Sequence, residues 1–581
     1  MNRETGKDRH PMGAGFFGGA GALAPGVEKR AGMCYNTEWR VAEPPTGAGC
    51  RTRNTRGEPS QEEADMQVTE EPRQHQNPKE KRNPTEPQKR RHTGARRPGR
   101  GDMTAELAGG KILPLIIRLS VPAVVAQLIT FLYNIVDRMY VARIADVGMD
   151  ALAALGIVLP ITLIMQAFAN LVGLGGAPRA GIRMGEGNRA EANGIFNVAT
   201  GLLLCIGVFI GAVAFGCALP IVRLFGCPPS AEAFAVSYLK IYACGTVFVM
   251  LAQGLNPFIQ TQGYSFVAMG TVLLGAVLNI LLDPLFIFTF GMGVRGSGLA
   301  TVVSQGCSAL CVVAFFFTRR SLFRFRLREM RPAPARVGSI VSLGFTPFVM
   351  TITECAIQVV FNINLNRVTG GDRDYTAALT VMLSALQLIS LPLNGLGNGV
   401  QPFVSYNYGR GDEARLKKGI RYVTVIAFVF CLAIWSVSLA VPELYARLFS
   451  ASESVTAIVK AYCPLFLMGS IMFFVQMTLQ NVNVALGQAR LALMLAVTRK
   501  VIILIPLCFI LTSAIGYPGV YLSEGIADFA AGLITAIVIF TSFPRIFRRR
   551  AAEVAAERTA SGGTPAEGET QTAGGGDPVP R

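Results

Sequence analysis

The sequence predicts an all-α polytopic membrane protein. Twelve transmembrane helices are expected in two six-helix lobes, related by a pseudo-two-fold axis along the membrane normal. Three observations predict this. Of the 581 residues, 51% are hydrophobic and 16% charged, whereas soluble domains carry about 25% charged residues. After residue 102, apolar runs of 20 residues or more follow one another, each long enough to cross a hydrocarbon layer of about 30 Å. A sequence repeat with an offset of about 224 residues divides those runs into two sets of six.

Residues 1–102 are rich in Arg, Lys, Glu, Pro, Gly, Gln and Thr and lack apolar periodicity. Such a segment buries too little apolar surface to offset its ordering entropy and is expected to be disordered. It has no apolar core or cleavage site of a signal peptide. Met103-Thr-Ala-Glu-Leu-Ala-Gly-Gly-Lys111 reads as a natural start, so 1–102 is expected to come from translated upstream sequence.

The spans follow at about 115–141, 151–175, 195–220, 236–261, 266–290 and 298–317, forming with residues 103–317 the first lobe. A basic segment, 318–338, links it to the second lobe, 339–545, with spans at 340–364, 377–402, 420–441, 459–486, 491–512 and 519–543. Pro122, Pro160, Pro284, Pro347 and Pro392 interrupt spans. Membrane helices accept proline where neighbours satisfy the freed backbone groups. A disordered C-terminal tail is expected from 546 to 581.

The formal charge of +17 lies in loops and tails and does not indicate nucleic acid. With the N-terminus inside, the loops after spans 2, 4, 6, 8 and 10 carry about twice the Lys and Arg of the opposite loops. This count assigns Arg490, Arg499 and Lys500 to the loop after span 10. The asymmetry predicts a plasma-membrane protein with both termini and the linker cytoplasmic. Ten of twelve cysteines lie in or near apolar runs, and they read as small buried hydrophobes. The three histidines all precede the first span, so the membrane part has none to bind a soft metal or relay protons.

The repeat is specific. Val222-Arg-Leu-Phe-Gly226 recurs as Ala446-Arg-Leu-Phe-Ser450, and Gly185-Glu-Gly187 as Gly409-Arg-Gly411. Tyr238, Gly245 and Gly263 recur as Tyr462, Gly469 and Gly487, and Gly293 and Gly296 as Gly516 and Gly519. Six spans is an even number, so both halves insert the same way and enclose a cleft near the midplane.

Span 5 carries Asn279-Ile-Leu-Leu-Asp283-Pro284. Asn279 and Asp283 are four apart and share a helical face. A carboxylate at that depth costs roughly 2.5–3.5 kcal/mol on insertion scales, so it is expected in a protein interior or wet cavity. The bland reading is an Asp that caps the helix where Pro284 breaks it. Asp137 in span 1 and Thr301 in span 6 fall at a compatible depth. Asp137, Asn279, Asp283 and Thr301 offer two carboxylates, an amide carbonyl and a hydroxyl, a hard oxygen set suited to Na⁺ or a shared proton. No other cofactor or metal is expected. Gln166, Gln253, Asn256, Gln260, Gln358 and Asn394 are candidates for the cleft wall, since an unpaired amide facing lipid is costly.

From about 110 to 545 the chain resembles the multidrug and toxic compound extrusion (MATE) family. The resemblance is carried by Pro122, Asp137 followed by Tyr140-Val-Ala-Arg143, Ala151-Leu-Ala-Ala-Leu-Gly156, Gly185-Glu-Gly187 and Asn279 to Pro284. It implies a monomeric antiporter that exports organic cations in exchange for H⁺ or Na⁺, with the cation site at Asp137, Asn279, Asp283 and Thr301. Arg138 departs from the small residue usual in the family and competes for Asp137. Glu354 in span 7 resembles a family Glu, but the acid some members carry on span 10 is missing from Phe474-Val-Gln-Met477. Thr301 maps by the repeat onto Glu524, one turn before Asp528. Glu354, Glu524 and Asp528 are therefore a candidate second acidic cluster, against the alternative that Glu524 and Asp528 pair with loop arginines. The alternative function is a lipid-linked glycan flippase of the same superfamily, which tends to have more spans or an arginine-rich cavity. A channel or receptor does not predict matched lobes with buried acids. No GxxxxGK[ST] or HExxH motif points to a nucleotide-driven pump or an enzyme.

Overall fold

The computed structural model describes residues 103–144, 148–370, 372–448 and 452–560. The expectations for 1–102 and 561–581 lie outside the described residues. Twelve helices among those described are long and apolar enough to cross a membrane. They are α1 (Ile112–Val141), α2 (Ala154–Gly185), α3 (Arg189–Gly216), α4 (Pro229–Thr261), α5 (Ser265–Thr289), α6 (Val294–Phe317), α7 (Pro334–Thr369), α8 (Asp374–Arg410), α9 (Glu413–Ala440), α10 (Glu453–Ala485), α11 (Ala489–Ile515) and α12 (Tyr517–Ala556). Every predicted span corresponds to one of them.

The repeat reappears as matched turns. The α2–α3 turn uses Gly187 at φ 82° and the α8–α9 turn uses Gly411 at φ 74°, a region open mainly to glycine. The next residue caps each following helix. Asn188 accepts from the Glu191 N–H and Asp412 from the Arg415 N–H.

The linker is not a slack tether. On α3, Asn193 and Asn197 accept the Arg324 and Arg326 backbone N–H groups, and Gln262 at the end of α4 accepts that of Leu322. Phe196 stacks on Phe323 at a centroid distance of 5.3 Å. The start of α7 is held to the same lobe by Arg336, which bonds Glu191 at 2.8 Å.

The lobes meet at the linker end. Leu171 and Gly175 of α2 press on Gly344 and Ile340 of α7; Gly185 meets Gly409 of α8; Ser120 and Val124 of α1 lie on Gly399 and Gly395. Glycine at these crossings lets backbones touch without an intervening Cβ. An ion pair closes the same end: Arg550 Nη2 lies 2.5 Å from Glu186 Oε1. Arg550 belongs to an extension of α12 that runs to Ala560, with Phe547 and Val554 buried. The expectation of a disordered tail from 546 is thus corrected over 546–560, because this stretch docks on the lobe interface. At the other end, α8 presents Thr380, Ser384 and Gln387 on one face, with Thr380 and Gln387 exposed. A polar stripe at spacings of four and three suits a wet cleft wall.

A Cβ at position 344 would sit 1.7 Å from the Leu171 carbonyl oxygen. Overpacking of this kind costs about 1–3 kcal/mol, which shifts a two-state population by roughly 5- to 150-fold. Gly344→Val is expected to depopulate the form sealed at the linker end. Spin-label distances between the linker-side ends of α2 and α8 should lengthen; an unchanged distribution counts against this seal.

Candidate functional site

The first-lobe site is assembled where α5 departs from α-geometry. Pro284 supplies no N–H, and the helix widens into a π-turn over Leu285–Thr289. Such turns recur at functional sites. Gly291 and Gly293, both at positive φ, reverse the chain into α6. Gly296 lets α6 pack on the widened turn, since a Cβ there would meet the Phe286 carbonyl carbon at 2.7 Å. This close approach aims Ser297 and Thr301, one turn apart, at α5 and α1.

The four predicted residues come together. Asp283 is 0% exposed and Asn279 2%. Asn279 Nδ2 donates to Asp283 Oδ1 and to Thr301 Oγ1, each at 3.4 Å. The Asp137 and Asp283 carboxyl groups lie close enough to interact directly. Asn279 Oδ1 and Asp283 Oδ2 are buried without a hydrogen-bond partner. Unanswered oxygens beside paired carboxylates suit a small cation or a proton. Asp137 makes no ion pair with Arg138 among the described residues; its Oδ1 accepts from Ser297 Oγ at 2.8 Å. Arg138 instead lines a small cavity beside Asp137, with Asn134, Leu155, Val158 and Tyr238. Sequence reasoning missed Ser297 and Tyr238, whose hydroxyl reaches Thr301. The signal for Ser297 was its position four residues before Thr301.

The second lobe is different. Two basic side chains sit among Glu354, Glu524 and Asp528. Arg499 and Lys500 are 7% and 5% exposed, inside α11 in a π-turn over Thr498–Leu504. Their assignment to a cytoplasmic loop is corrected: the apolar residues on both sides carry them into the lobe. Arg499 places Nη2 2.6 Å and Nε 2.7 Å from Asp528 Oδ1, and Nη2 3.4 Å from Glu524 Oε1. Its guanidinium also lies over the Phe473 ring at 5.1 Å. Lys500 pairs with Glu354. Gln476, within the stretch that lacks the family acid, donates to the Asp528 carbonyl at 3.2 Å. The partner of Glu524 and Asp528 is therefore an arginine, but one within the span.

Some cleft candidates point elsewhere. Asn256 is 7% exposed and donates to Ala268 O and Thr271 Oγ1 on α5, while Gln260 donates to Asn256 Oδ1. Asn256 thus ties α4 to α5 inside the lobe, which corrects its assignment to the wall, whereas Gln260 is half-buried and its bond stays within α4. Gln166 reaches the Tyr242 hydroxyl within the same lobe. Asn394 accepts from Asn481 of α10 at 3.4 Å. Gln253 and Gln358 are half-buried.

Removing one partner of a buried ion pair leaves the other charge uncompensated, at a cost of about 3–5 kcal/mol. Arg499→Met is expected to lower the thermal unfolding midpoint of the purified protein markedly, and Arg499→Met with Asp528→Leu to recover most of the loss. Equal stability of the single variant and wild type counts against a pair that supports the fold.

Known proteins bear on this arrangement. The MatE family model matches residues 122–285 and again 348–510, one block in each lobe. The multidrug export protein MepA of Staphylococcus saprophyticus is 26% identical over 427 residues, covering 72% of this chain and 92% of its own. MepA of Staphylococcus aureus gives the same identity and coverage. Among solved structures, the MATE multidrug transporter DinF-BH in complex with R6G superposes with a TM-score of 0.70 at 29% identity, over 75% of this chain and 97% of that one. An outward-facing MATE transporter of the MOP superfamily reaches 0.71 at 22% identity, over 76% and 98%, a likeness of fold. Two matched blocks covering more than half the chain, on a twelve-helix, two-lobe frame, make this a multi-pass membrane transporter rather than an enzyme, and the chain belongs to the MATE family of multidrug efflux transporters.

Proposed function

We propose that this protein is a secondary antiporter that exports organic cations in exchange for H⁺ or Na⁺ by alternating access. The observation that carries this reading is the sequestered pair Asp137–Asp283, with the unpartnered oxygens of Asn279 and Asp283 beside it. Two carboxylates in a low-dielectric site repel unless a cation or proton answers them. Loading that ion draws α1, α5 and α6 together; releasing it lets them part. Only a difference in ion and drug affinity between the two openings can drive the exchange. The names of MepA and DinF-BH support a multidrug substrate range.

Orientation follows from charge. With Arg499 and Lys500 removed from the loop count, the linker side still carries the larger share of Arg and Lys, which favours cytoplasmic termini. The sealed linker end then makes this the outward-facing form. A monomer suffices, because one chain supplies both lobes and the cleft. The flippase alternative gains two basic residues inside a lobe, but three acids surround them, so the cavity is not net basic.

The test is ethidium efflux from vesicles with Na⁺ and H⁺ gradients imposed separately. One gradient should drive wild type, and Asp283→Asn should lose about tenfold or more of that response, the size of a coupling free energy between sites. Equal gradient-driven efflux by both proteins excludes Asp283 from coupling.

A further inference from the structure

Glu354 is a charged residue with two environments. Its side chain is 55% exposed although it lies within α7. Phe345 and Ile363, each nine residues away, are 44% and 57% exposed. Nine residues are two and a half helical turns, so Glu354 points opposite that apolar stripe. The stripe suits lipid. The face opposite cannot also be lipid, because α7 packs there on α10 and α11: Gln480 donates to Met350 Sδ, and Thr346 to the Ala489 carbonyl. The exposure of Glu354 is therefore toward the cleft.

Its partner comes from behind. Lys500 is buried, and its ammonium reaches forward to Glu354 from the lobe interior. It also interacts with Glu524 and Asp528. Arg499 already engages Asp528 Oδ1 and, more loosely, Glu524 Oε1. Glu524 Oε2 and Asp528 Oδ2 remain buried without a partner. Lysine is a compact charge on a flexible four-carbon stem, suited to moving between acceptors. Three carboxylates against two basic groups leave one negative charge, which a single monovalent cation would neutralise. The repeat sharpens the contrast: the positions of α5 that correspond to Arg499 and Lys500 are apolar, such as Ala276 and Val277.

We infer that Lys500 is a tethered competitor for the substrate site at Glu354. In the resting form its ammonium occupies that carboxylate. An organic cation entering the cleft takes Glu354, and Lys500 withdraws to the free oxygens of Glu524 and Asp528. Release of the drug returns the ammonium to Glu354, so the site is never left as a bare anion. This rests on the reading that the cleft carries organic cations, and it assigns part of their recognition to the second lobe.

The test is equilibrium binding of ethidium to the purified full chain in nanodiscs, read by fluorescence anisotropy. Removing an internal competitor raises the fraction of competent sites, and apparent affinity rises in proportion. Lys500→Gln together with Glu524→Gln keeps the charge balance. It should bind ethidium about tenfold more tightly than wild type, on the basis of a resting site about one-tenth free. Lys500→Arg should bind no more tightly than wild type. Glu354→Gln should weaken binding and abolish the gain from substituting Lys500. An unchanged or weaker affinity in the balanced double variant overturns the inference while leaving the antiporter reading intact. Absence of ethidium binding by wild type, with no efflux in vesicles, overturns both.

Discussion

A carboxylate placed inside a hydrocarbon layer must be answered by a positive charge or a proton, and both lobes are organised around that demand. They answer it differently. In the first lobe, Asp137 and Asp283 face each other, hydroxyl and amide groups donate to them, and no basic side chain pairs with them among the described residues. In the second, Arg499 and Lys500 are covalently part of the wall. A duplicated frame has thus diverged into one half whose buried acids pair with each other and one half whose acids pair with basic side chains of the chain itself.

Much of this was legible in the residues. The twelve spans, the doubled lobe and the turns at Gly187 and Gly411 follow from run length and a constant offset. Asn279, Asp283 and Thr301 meet because a four-residue spacing fixes a helical face and the short return through Gly291 and Gly293 fixes the neighbour. Arg499 and Lys500 were misplaced because two adjacent basic residues near a span boundary look like a loop. What holds them inside is tertiary: a widened turn in α11 and acids on α7 and α12. Asn256 shows the same limit in reverse. An amide in a membrane helix must find a partner, but sequence does not say whether that partner is a ligand or the next helix.

The contact between lobes combines close approach at small residues with an edge-on pair of rings, Phe168 of α2 and Phe348 of α7, at 4.9 Å. Backbone lies against backbone at Gly175, Gly344, Gly185 and Gly409, and the Arg550–Glu186 ion pair spans the same end. Without a hydrophobic drive between helices in lipid, such close approach supplies the attraction through van der Waals contact.

The anchoring of the connecting segment has its own mechanical result. Asn193, Asn197 and Gln262 hold its backbone, and Arg336 fastens the first turn of α7 to Glu191. The covalent joint between the halves therefore has no slack, and any rocking must be absorbed as torsion within α7 beyond those fastenings. Pro347, which lacks the N–H that would brace that helix, stands where such a pivot is required.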